Sequence, residues 1–192
     1  MYYCKLDSNE KIPTETGPEM VEKKQLYDYQ NTALYRIFDK LAEKEKPFNL
    51  LFQLPTGGGK TVIFSEIARR YIQETGNKVM ILTHRIELCA QTSRMLDSFS
   101  VKNKVITSDV KTLPDKDEFQ CFVAMVETLN NRLNEKAIEI DEIGLLIIDE
   151  AHYNSFGKLL KFFDKSTILG VTATPLSSNI SLPMNENYDE LM

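Results

Sequence analysis

The chain has 192 residues, 42% hydrophobic and 27% charged, so it can bury a sizeable core as one domain. Its net charge of -5 excludes a global basic field that would draw it to nucleic acid or to an anionic membrane. The three cysteines, Cys4, Cys89 and Cys121, are widely spaced without a CxxC motif, which favours a reducing cytoplasm over disulfides or a zinc site. We find no apolar signal segment and no apolar run long enough to cross a bilayer, so we expect a soluble cytoplasmic protein.

The chain divides into three parts by composition. Residues 1–24 are mostly polar and contain two prolines in the stretch from Asp7 to Lys24, which indicates an extended arm. Residues 25–176 carry the apolar pattern of a folded domain. Residues 177–192 are polar again, and we interpret them as a linker towards a further domain.

The predicted elements alternate between helices and buried strands. In the first helix, residues 30–46, an apolar stripe recurs at helical spacing and a charged tail precedes Pro47. The short apolar runs predict strands over residues 49–54, 78–83, 119–126, 145–149 and 167–173. Helical patterns lie between several of them, over residues 60–74, 85–99, 127–136 and 155–165. This alternation predicts an α/β fold, with a mostly parallel sheet covered by helices on both faces and sites at the carboxyl ends of the strands.

A glycine-rich loop, LPTGGGKT from Leu54 to Thr61, joins the first predicted strand to the following helix. Such a loop directs several backbone N–H groups and the positive end of the helix dipole at one point, which suits a phosphate chain. Lys60 can reach the outer phosphates, and the Thr61 hydroxyl can ligate magnesium. Leu54 stands where the general pattern GxxxxGK(S/T) has its first glycine. The alternative is a flexible glycine turn beside a solvated lysine.

Two carboxylates end the buried strand of LLIIDEAH, which runs from Leu145 to His152. Carboxylates are costly at such a position unless a cation or a hydrogen-bonding task uses them. In a nucleotide site Asp149 would hold magnesium, usually through water, and Glu150 would orient and polarise the attacking water. The alternative is that both acids begin a loop and that His152 is a satisfied core histidine.

With these motifs, and with TAT from Thr172 to Thr174, the chain resembles the first RecA-like domain, a P-loop NTPase fold, of superfamily 2 DEAD/DEAH-type helicases and translocases. LPTGGGKT resembles motif I, DEAH motif II and TAT motif III. The resemblance implies ATP and Mg²⁺ as cofactors, with Lys60, Asp149 and Glu150 catalytic and with Thr61 and Asp149 at the metal. It assigns nucleotide binding to Thr56, Gly57, Gly58, Gly59, Lys60 and Thr61, and coupling to His152, Thr172 and Thr174.

The segment LYDYQNTAL resembles the Q motif of the same family. The resemblance implies that Gln30 reads the adenine edge, and a glutamine amide can exchange two hydrogen bonds with adenine. Tyr27 stands where the family frequently has arginine. The alternative is that Gln30 is only a polar residue at the start of the first helix.

The segment ILTHRIELCAQ is similar to motif Ia in the branch that contains type III restriction subunits and DNA repair translocases. The resemblance implies that His84 and Arg85 touch the phosphate backbone of a nucleic acid, with DNA expected before RNA. ETLNNRL resembles the family's QTL segment, which assigns a further nucleic-acid contact to Thr128. The alternative is that Arg85 is a solvated charge and His84 a helix cap.

The resemblance implies the ATP-binding half of an ATP-dependent helicase or translocase. Motifs IV to VI, which supply arginine fingers from a second RecA-like domain, do not occur in these 192 residues. We therefore expect a second RecA-like domain of the same polypeptide as a partner, and very slow hydrolysis by this chain alone. Two alternatives are a P-loop ATPase that does not act on nucleic acid and a binding module that uses ATP only as a switch.

Overall fold

The computed structural model describes residues 26–43, 47–111, 113, 118–136, 138, 140, 143–153, 156–175 and 187–192. The predicted arm, residues 1–24, lies outside these residues, as do residues 177–186 of the predicted linker. None of the helices in the described ranges has the length and apolar character that crossing a membrane requires.

The described residues form four helices and seven strands in mixed order along the chain. The helices are α1 (Asp28–Glu43), α2 (Lys60–Thr75), α3 (Ile86–Ser98) and α4 (Val126–Asn134). The strands are β1 (Asn49–Gln53), β2 (Lys78–Thr83), β3 (Asn103–Ile106), β4 (Cys121–Met125), β5 (Ile143–Asp149), β6 (Thr167–Thr172) and β7 (Glu190–Leu191).

The strands form one sheet in the order β3-β4-β2-β5-β6-β1-β7, and every pair in it is parallel. The predicted α/β class and parallel sheet are therefore confirmed. Parallel strands need crossover connections, and helices supply several of them. All carboxyl ends consequently meet at one edge of the sheet, where ligands bind in open α/β folds.

Both faces of the sheet are covered by apolar side chains. Along β2, Val79 and Ile81 pack in the cluster that includes buried residues of α1, α2 and α3. Met80 and Leu82 pack in the opposite cluster, which includes buried residues of α4 and of the segment between β5 and β6. Because both faces are buried, the central strands are continuous apolar runs, as the sequence indicates.

Two predicted features of the middle of the chain differ from the structure. The helix predicted over residues 155–165 is wrong: its described part contains a short 3-10 turn at Leu160–Phe162. Gly157 interrupts the helical pattern here, and glycine costs about 1 kcal/mol within a helix relative to alanine. Strand β3 is absent from the predicted elements because it is short and only its last residue, Ile106, is buried.

The end of the chain joins the sheet beside β1, where the sequence indicates only a polar linker. The Met192 N–H donates to the Leu51 carbonyl at 2.8 Å, and the Asn49 N–H donates to the Asp189 carboxylate at 2.8 Å. Tyr188 is buried over Gly170 of β6, where an added Cβ would lie 2.4 Å from the tyrosine oxygen. The absence of a side chain at Gly170 therefore makes room for the ring.

We expect Tyr188→Ala to lower the free energy of unfolding by about 3–5 kcal/mol, because it leaves a cavity in a packed core. Tyr188→Phe keeps the ring and removes a buried hydroxyl that has no hydrogen-bond partner among the described residues. The phenylalanine variant should therefore match the wild-type stability or exceed it by about 1 kcal/mol. Urea denaturation followed by circular dichroism measures both. Equal losses in the two variants would contradict the packing of Tyr188 described above.

Candidate active site

The loop between β1 and α2 is held by one backbone hydrogen bond to the end of β6 and by one within the loop. The Leu54 N–H donates to the Thr172 carbonyl at 2.9 Å, and the Gly58 N–H donates to the Pro55 carbonyl at 3.0 Å. Gly57 and Gly59 have φ angles of 82° and 77°, in the left-handed region that favours glycine. The loop conformation therefore depends on glycine at these two positions.

The loop geometry fits a bound phosphate chain. Helix α2 begins at Lys60 directly after Gly59, which has no side chain with which to cap it, and among the described residues no side chain accepts from its first N–H groups. A Cβ at Gly59 would lie 2.5 Å from the Gln30 side-chain nitrogen, so backbone and amide approach each other closely here. Thr56 is exposed at the start of the loop, and Thr61 is half-buried in the first turn of α2.

Gln30 borders the glycine loop from α1. The helix begins at Asp28, two residues before its predicted start. Gln30 is 3% exposed, and its Oε1 accepts the Tyr27 N–H at 3.0 Å. Tyr29, which is not among the predicted site residues, donates its hydroxyl proton to the Gly58 carbonyl at 3.1 Å. Its position directly before Gln30 is the signal that could have found it.

Lys60 and Glu150 connect the two predicted motifs. The Lys60 Nζ lies 3.5 Å from the Glu150 Oε1, and the side chains are 11% and 29% exposed. The partners belong to α2 and to the turn after β5, which lie next to each other because the strands are parallel. The Lys60 ammonium group therefore lies beside both the glycine loop and the carboxylates at the end of β5.

Asp149 ends β5 and is 7% exposed. Burial raises the pKa of its carboxyl to about 6, and repulsion by Glu150 contributes to that rise, while Lys60 and the Glu150 backbone N–H act in the opposite direction. That N–H donates to the Asp149 Oδ1 at 3.0 Å. A buried acid that carries this electrostatic cost is typical of functional sites.

Asp149 and Thr61 offer a donor set that fits magnesium better than a metal held by protein ligands alone. The described residues contain no group of three or more His, Cys, Asp or Glu side chains that could hold a metal ion. Magnesium is usually bound by one or two carboxylates together with substrate phosphates and waters. A single buried carboxylate near the glycine loop matches that pattern.

His152, Thr172 and Thr174 form a hydrogen-bonded chain between the ends of β5 and β6. The Thr172 hydroxyl donates to the Thr174 carbonyl at 2.8 Å and accepts the Thr174 N–H at 3.1 Å. The His152 Nδ1 lies 2.9 Å from the same hydroxyl oxygen and is hydrogen-bonded to it. Nδ1 also lies 3.4 Å from the Glu150 Oε2. The three predicted coupling residues are therefore in one network with Glu150.

Glu150 occupies a strained turn with aromatic neighbours. Its φ angle is 52°, which is uncommon for a residue other than glycine. Burial lowers the pKa of the nearby His84, and a hydrogen bond to the Glu150 backbone acts against that shift. Tyr153, which is also not among the predicted site residues, packs between His84 and His152. Its position directly after DEAH is the signal that could have found it.

The remaining predicted nucleic-acid residues lie at the starts of two helices. Arg85 is exposed and precedes the first residue of α3, and Thr128 is half-buried in the first turn of α4. The described contacts do not join either side chain to the glycine loop or to the two acids. The structure therefore brings together Gln30, the loop, the acids and the coupling residues, and it leaves Arg85 and Thr128 apart from them.

We expect Asp149→Asn to raise the free energy of unfolding of the metal-free chain by about 1–3 kcal/mol at pH 7.5. The folded-state pKa of about 6 exceeds the ordinary value of 3.8, so protonation of Asp149 favours the folded state. This contribution is complete below about pH 4 and is lost as the pH rises through about 6, so the wild type and the variant should converge near pH 4. Urea titrations at both pH values test this. A wild type that is more stable than Asp149→Asn at pH 7.5 would contradict it.

Three comparisons with known proteins bear on this site. The family model described as "Type III restriction enzyme, res subunit" matches residues 23–177. The chain is 35% identical over 164 residues to the putative ATP-dependent helicase IRC3 of Saccharomyces cerevisiae, covering 78% of this chain and 23% of that protein. It is 32% identical over 168 residues to the ATP-dependent DNA helicase MPH1 of Scheffersomyces stipitis, covering 78% of this chain and 15% of that protein.

Solved structures show the same fold. The Pyrococcus furiosus Hef helicase domain has a TM-score of 0.63 at 21% identity and covers 85% of this chain and 37% of that one. The type ISP restriction-modification enzyme LlaGI, solved in complex with a DNA substrate mimic, has a TM-score of 0.63 at 21% identity, covering 88% of this chain and 19% of that one. The chain thus spans less than a quarter of the two curated relatives described above. It belongs to the family of the type III restriction enzyme res subunit, with the first RecA-like domain fold of superfamily 2 helicases.

Proposed function

We propose that the chain is the ATP-binding half of an ATP-dependent nucleic-acid helicase or translocase. The observation that carries the proposal is the contact between Lys60 and Glu150, 3.5 Å apart beside the glycine loop. It joins a cation suited to phosphates and a carboxylate suited to activating water in one place. ATP hydrolysis needs both groups at the same phosphate.

In this proposal the loop from Thr56 to Thr61 binds the phosphates through backbone N–H groups. Gln30 hydrogen-bonds the adenine edge, which selects ATP. Lys60 leaves Glu150 and contacts the outer phosphates when ATP enters, because their negative charge exceeds that of a single carboxylate. Lys60 then stabilises the charge that develops during phosphoryl transfer.

Asp149 and Thr61 hold the magnesium ion in this proposal. When bound, magnesium would supply positive charge that offsets the negative charge developing on the phosphates. The cation also offsets the electrostatic cost of ionising the buried Asp149 carboxyl. Glu150, released from Lys60, accepts a hydrogen bond from the attacking water and orients it.

We propose that the network of His152, Thr172 and Thr174 changes its hydrogen bonds when Glu150 changes position. The change would then reach other residues at the carboxyl edge of the sheet. Thr172 ends β6 and hydrogen-bonds both His152 and Thr174. A shift of Glu150 changes the partner available to His152 Nδ1, which lies within 3.4 Å of the carboxylate. Such a hydrogen-bonded group with two arrangements can couple nucleotide state to a second surface.

The nucleic-acid contacts are proposed at the starts of α3 and α4. The first N–H groups of α3 have no side-chain cap, and Arg85 is exposed beside them, which suits a phosphate without reading sequence. His84 and Thr128 complete the proposed path. We propose DNA as the track because MPH1 is named as a DNA helicase.

We propose that a second RecA-like domain of the same polypeptide completes the motor. The relatives are several times longer than the matched region, which leaves room for such a domain in them. An arginine finger contributes on the order of 10³ to 10⁵ in rate in phosphoryl-transfer enzymes. The isolated chain should therefore bind ATP weakly and hydrolyse it very slowly.

The test is ATP hydrolysis by the full-length protein with magnesium, in the presence of single-stranded and double-stranded DNA and of RNA. We expect one polymer to stimulate the rate, and Lys60→Ala to abolish it by weakening ATP binding and phosphoryl transfer. Glu150→Gln should lower the rate by about 10²-fold or more while ATP binding remains, because only the water-activating group is lost.

Three results would count against the proposal. A rate that depends on Lys60 but ignores every polymer would favour a P-loop ATPase without nucleic acid. Turnover unaffected by Glu150→Gln would favour an ATP-switched binding module. Robust duplex unwinding by the isolated 192-residue chain would contradict the need for a second domain.

A further inference from the structure

Three aromatic rings meet at the carboxyl edge of the sheet and form what we call the ring cluster: His84, His152 and Tyr153. The ring centroids of Tyr153 and His84 are 4.7 Å apart, and those of Tyr153 and His152 are 4.2 Å apart. His84 directly follows β2, whereas the other two residues lie in the turn after β5. Tyr153 therefore bridges the ends of two neighbouring strands.

Each member of the ring cluster also contacts Glu150. The His84 imidazole hydrogen-bonds the Glu150 backbone, and His152 Nδ1 lies 3.4 Å from the Glu150 Oε2. The Tyr153 N–H donates to the Glu150 carbonyl at 3.0 Å. The left-handed backbone of Glu150 is sparsely populated for residues with a side chain, so it persists only where its surroundings hold it. The residues of the ring cluster contribute these three contacts to those surroundings.

On its other side the ring cluster is continuous with the proposed phosphate contact. Arg85 follows His84 directly and precedes the first residue of α3. A phosphate bound at Arg85 and at the start of α3 would therefore lie next to the residue that carries the His84 ring. The His84 ring in turn packs on Tyr153, whose backbone N–H is bonded to Glu150 in the turn after β5.

We propose that Tyr153 is a positioning residue that couples phosphate contact at Arg85 to the orientation of Glu150. This inference rests on the proposed function, since it assigns the route by which nucleic acid stimulates hydrolysis. In this proposal Tyr153 acts through the two imidazole rings that it contacts, and it has no direct role at ATP or at the reacting atoms. Its aromatic ring is the required feature, and its hydroxyl is not.

Exposure of Tyr153 makes the idea testable by substitution. The residue is 45% exposed, so its truncation removes little of the buried core. Tyr153→Phe keeps the stacking surface and serves as the conservative rescue. Tyr35 of α1 is 64% exposed and provides a matched control for loss of a surface tyrosine.

The experiment compares full-length wild type, Tyr153→Ala, Tyr153→Phe and Tyr35→Ala. The readout is the ratio of kcat for ATP hydrolysis with saturating nucleic acid to kcat without it, using poly(dT), duplex plasmid DNA and poly(U). Allosteric couplings typically amount to about 5- to 150-fold, so we expect Tyr153→Ala to lower the ratio by about tenfold. Tyr153→Phe and Tyr35→Ala should keep the wild-type ratio.

Other outcomes separate the two proposals. If the wild type is stimulated and Tyr153→Ala is stimulated equally, the positioning role is wrong and the proposed function stands. The role is also overturned if Tyr153→Ala lowers the two kcat values by one common factor, or if Tyr153→Phe loses as much as Tyr153→Ala. If no polymer stimulates the wild type, the proposed function fails and the coupling fails with it.

Discussion

Parallel pairing of the strands is the constraint on which the site depends. It brings the carboxyl ends of β1, β6 and β5 to one edge of the sheet in adjacent positions. The register is nearly level there, because Gln53 lies opposite Thr172 and Asp149 lies opposite Val171. The glycine loop, the threonine network and the acidic turn therefore lie within reach of one another, and Lys60 and Glu150 make the contact between the loop and the turn.

The acidic turn after β5 lowers the stability of the folded state electrostatically, and packing of the apolar core does not require these charges. Asp149 is buried with a raised pKa, and Glu150 adds a second carboxylate and an unfavourable φ angle. The nearby Lys60 offsets part of this cost in the absence of a ligand. A nucleotide site needs such groups to be ready before the substrate arrives, since preorganised charges need little reorganisation during the reaction. These residues lower the stability of the folded state without serving the packing of the core. We therefore interpret them as functional.

The sequence predicts the central part of this structure well for identifiable reasons. Strands β1, β2 and β5 are buried on both faces and therefore appear as continuous apolar runs. The glycine loop and the two acids at the strand ends can be recognised from their residue types alone. The short edge strands β3 and β7 do not, because their pairing depends on distant segments and involves few residues.

Contacts that side chains make with residues remote in sequence were the least predictable part of the site. Tyr29 lies within the segment that resembles the Q motif and Tyr153 directly follows DEAH, but their partners, Gly58 and His84, are remote in sequence. The segment over residues 155–165 has helical spacing, yet its apolar residues Phe156, Leu159 and Phe163 are buried from a turn instead. In both cases tertiary packing determines the structure, and the local sequence pattern carries no information about that packing.

The most direct test of this account is a crystal structure of the chain with a non-hydrolysable ATP analogue and magnesium. The account predicts the phosphates on the backbone N–H groups of the glycine loop, the metal between Thr61 and Asp149, and Lys60 displaced from Glu150 onto the outer phosphates. Nucleotide bound elsewhere, or bound at the loop with Lys60 still paired to Glu150, would contradict it.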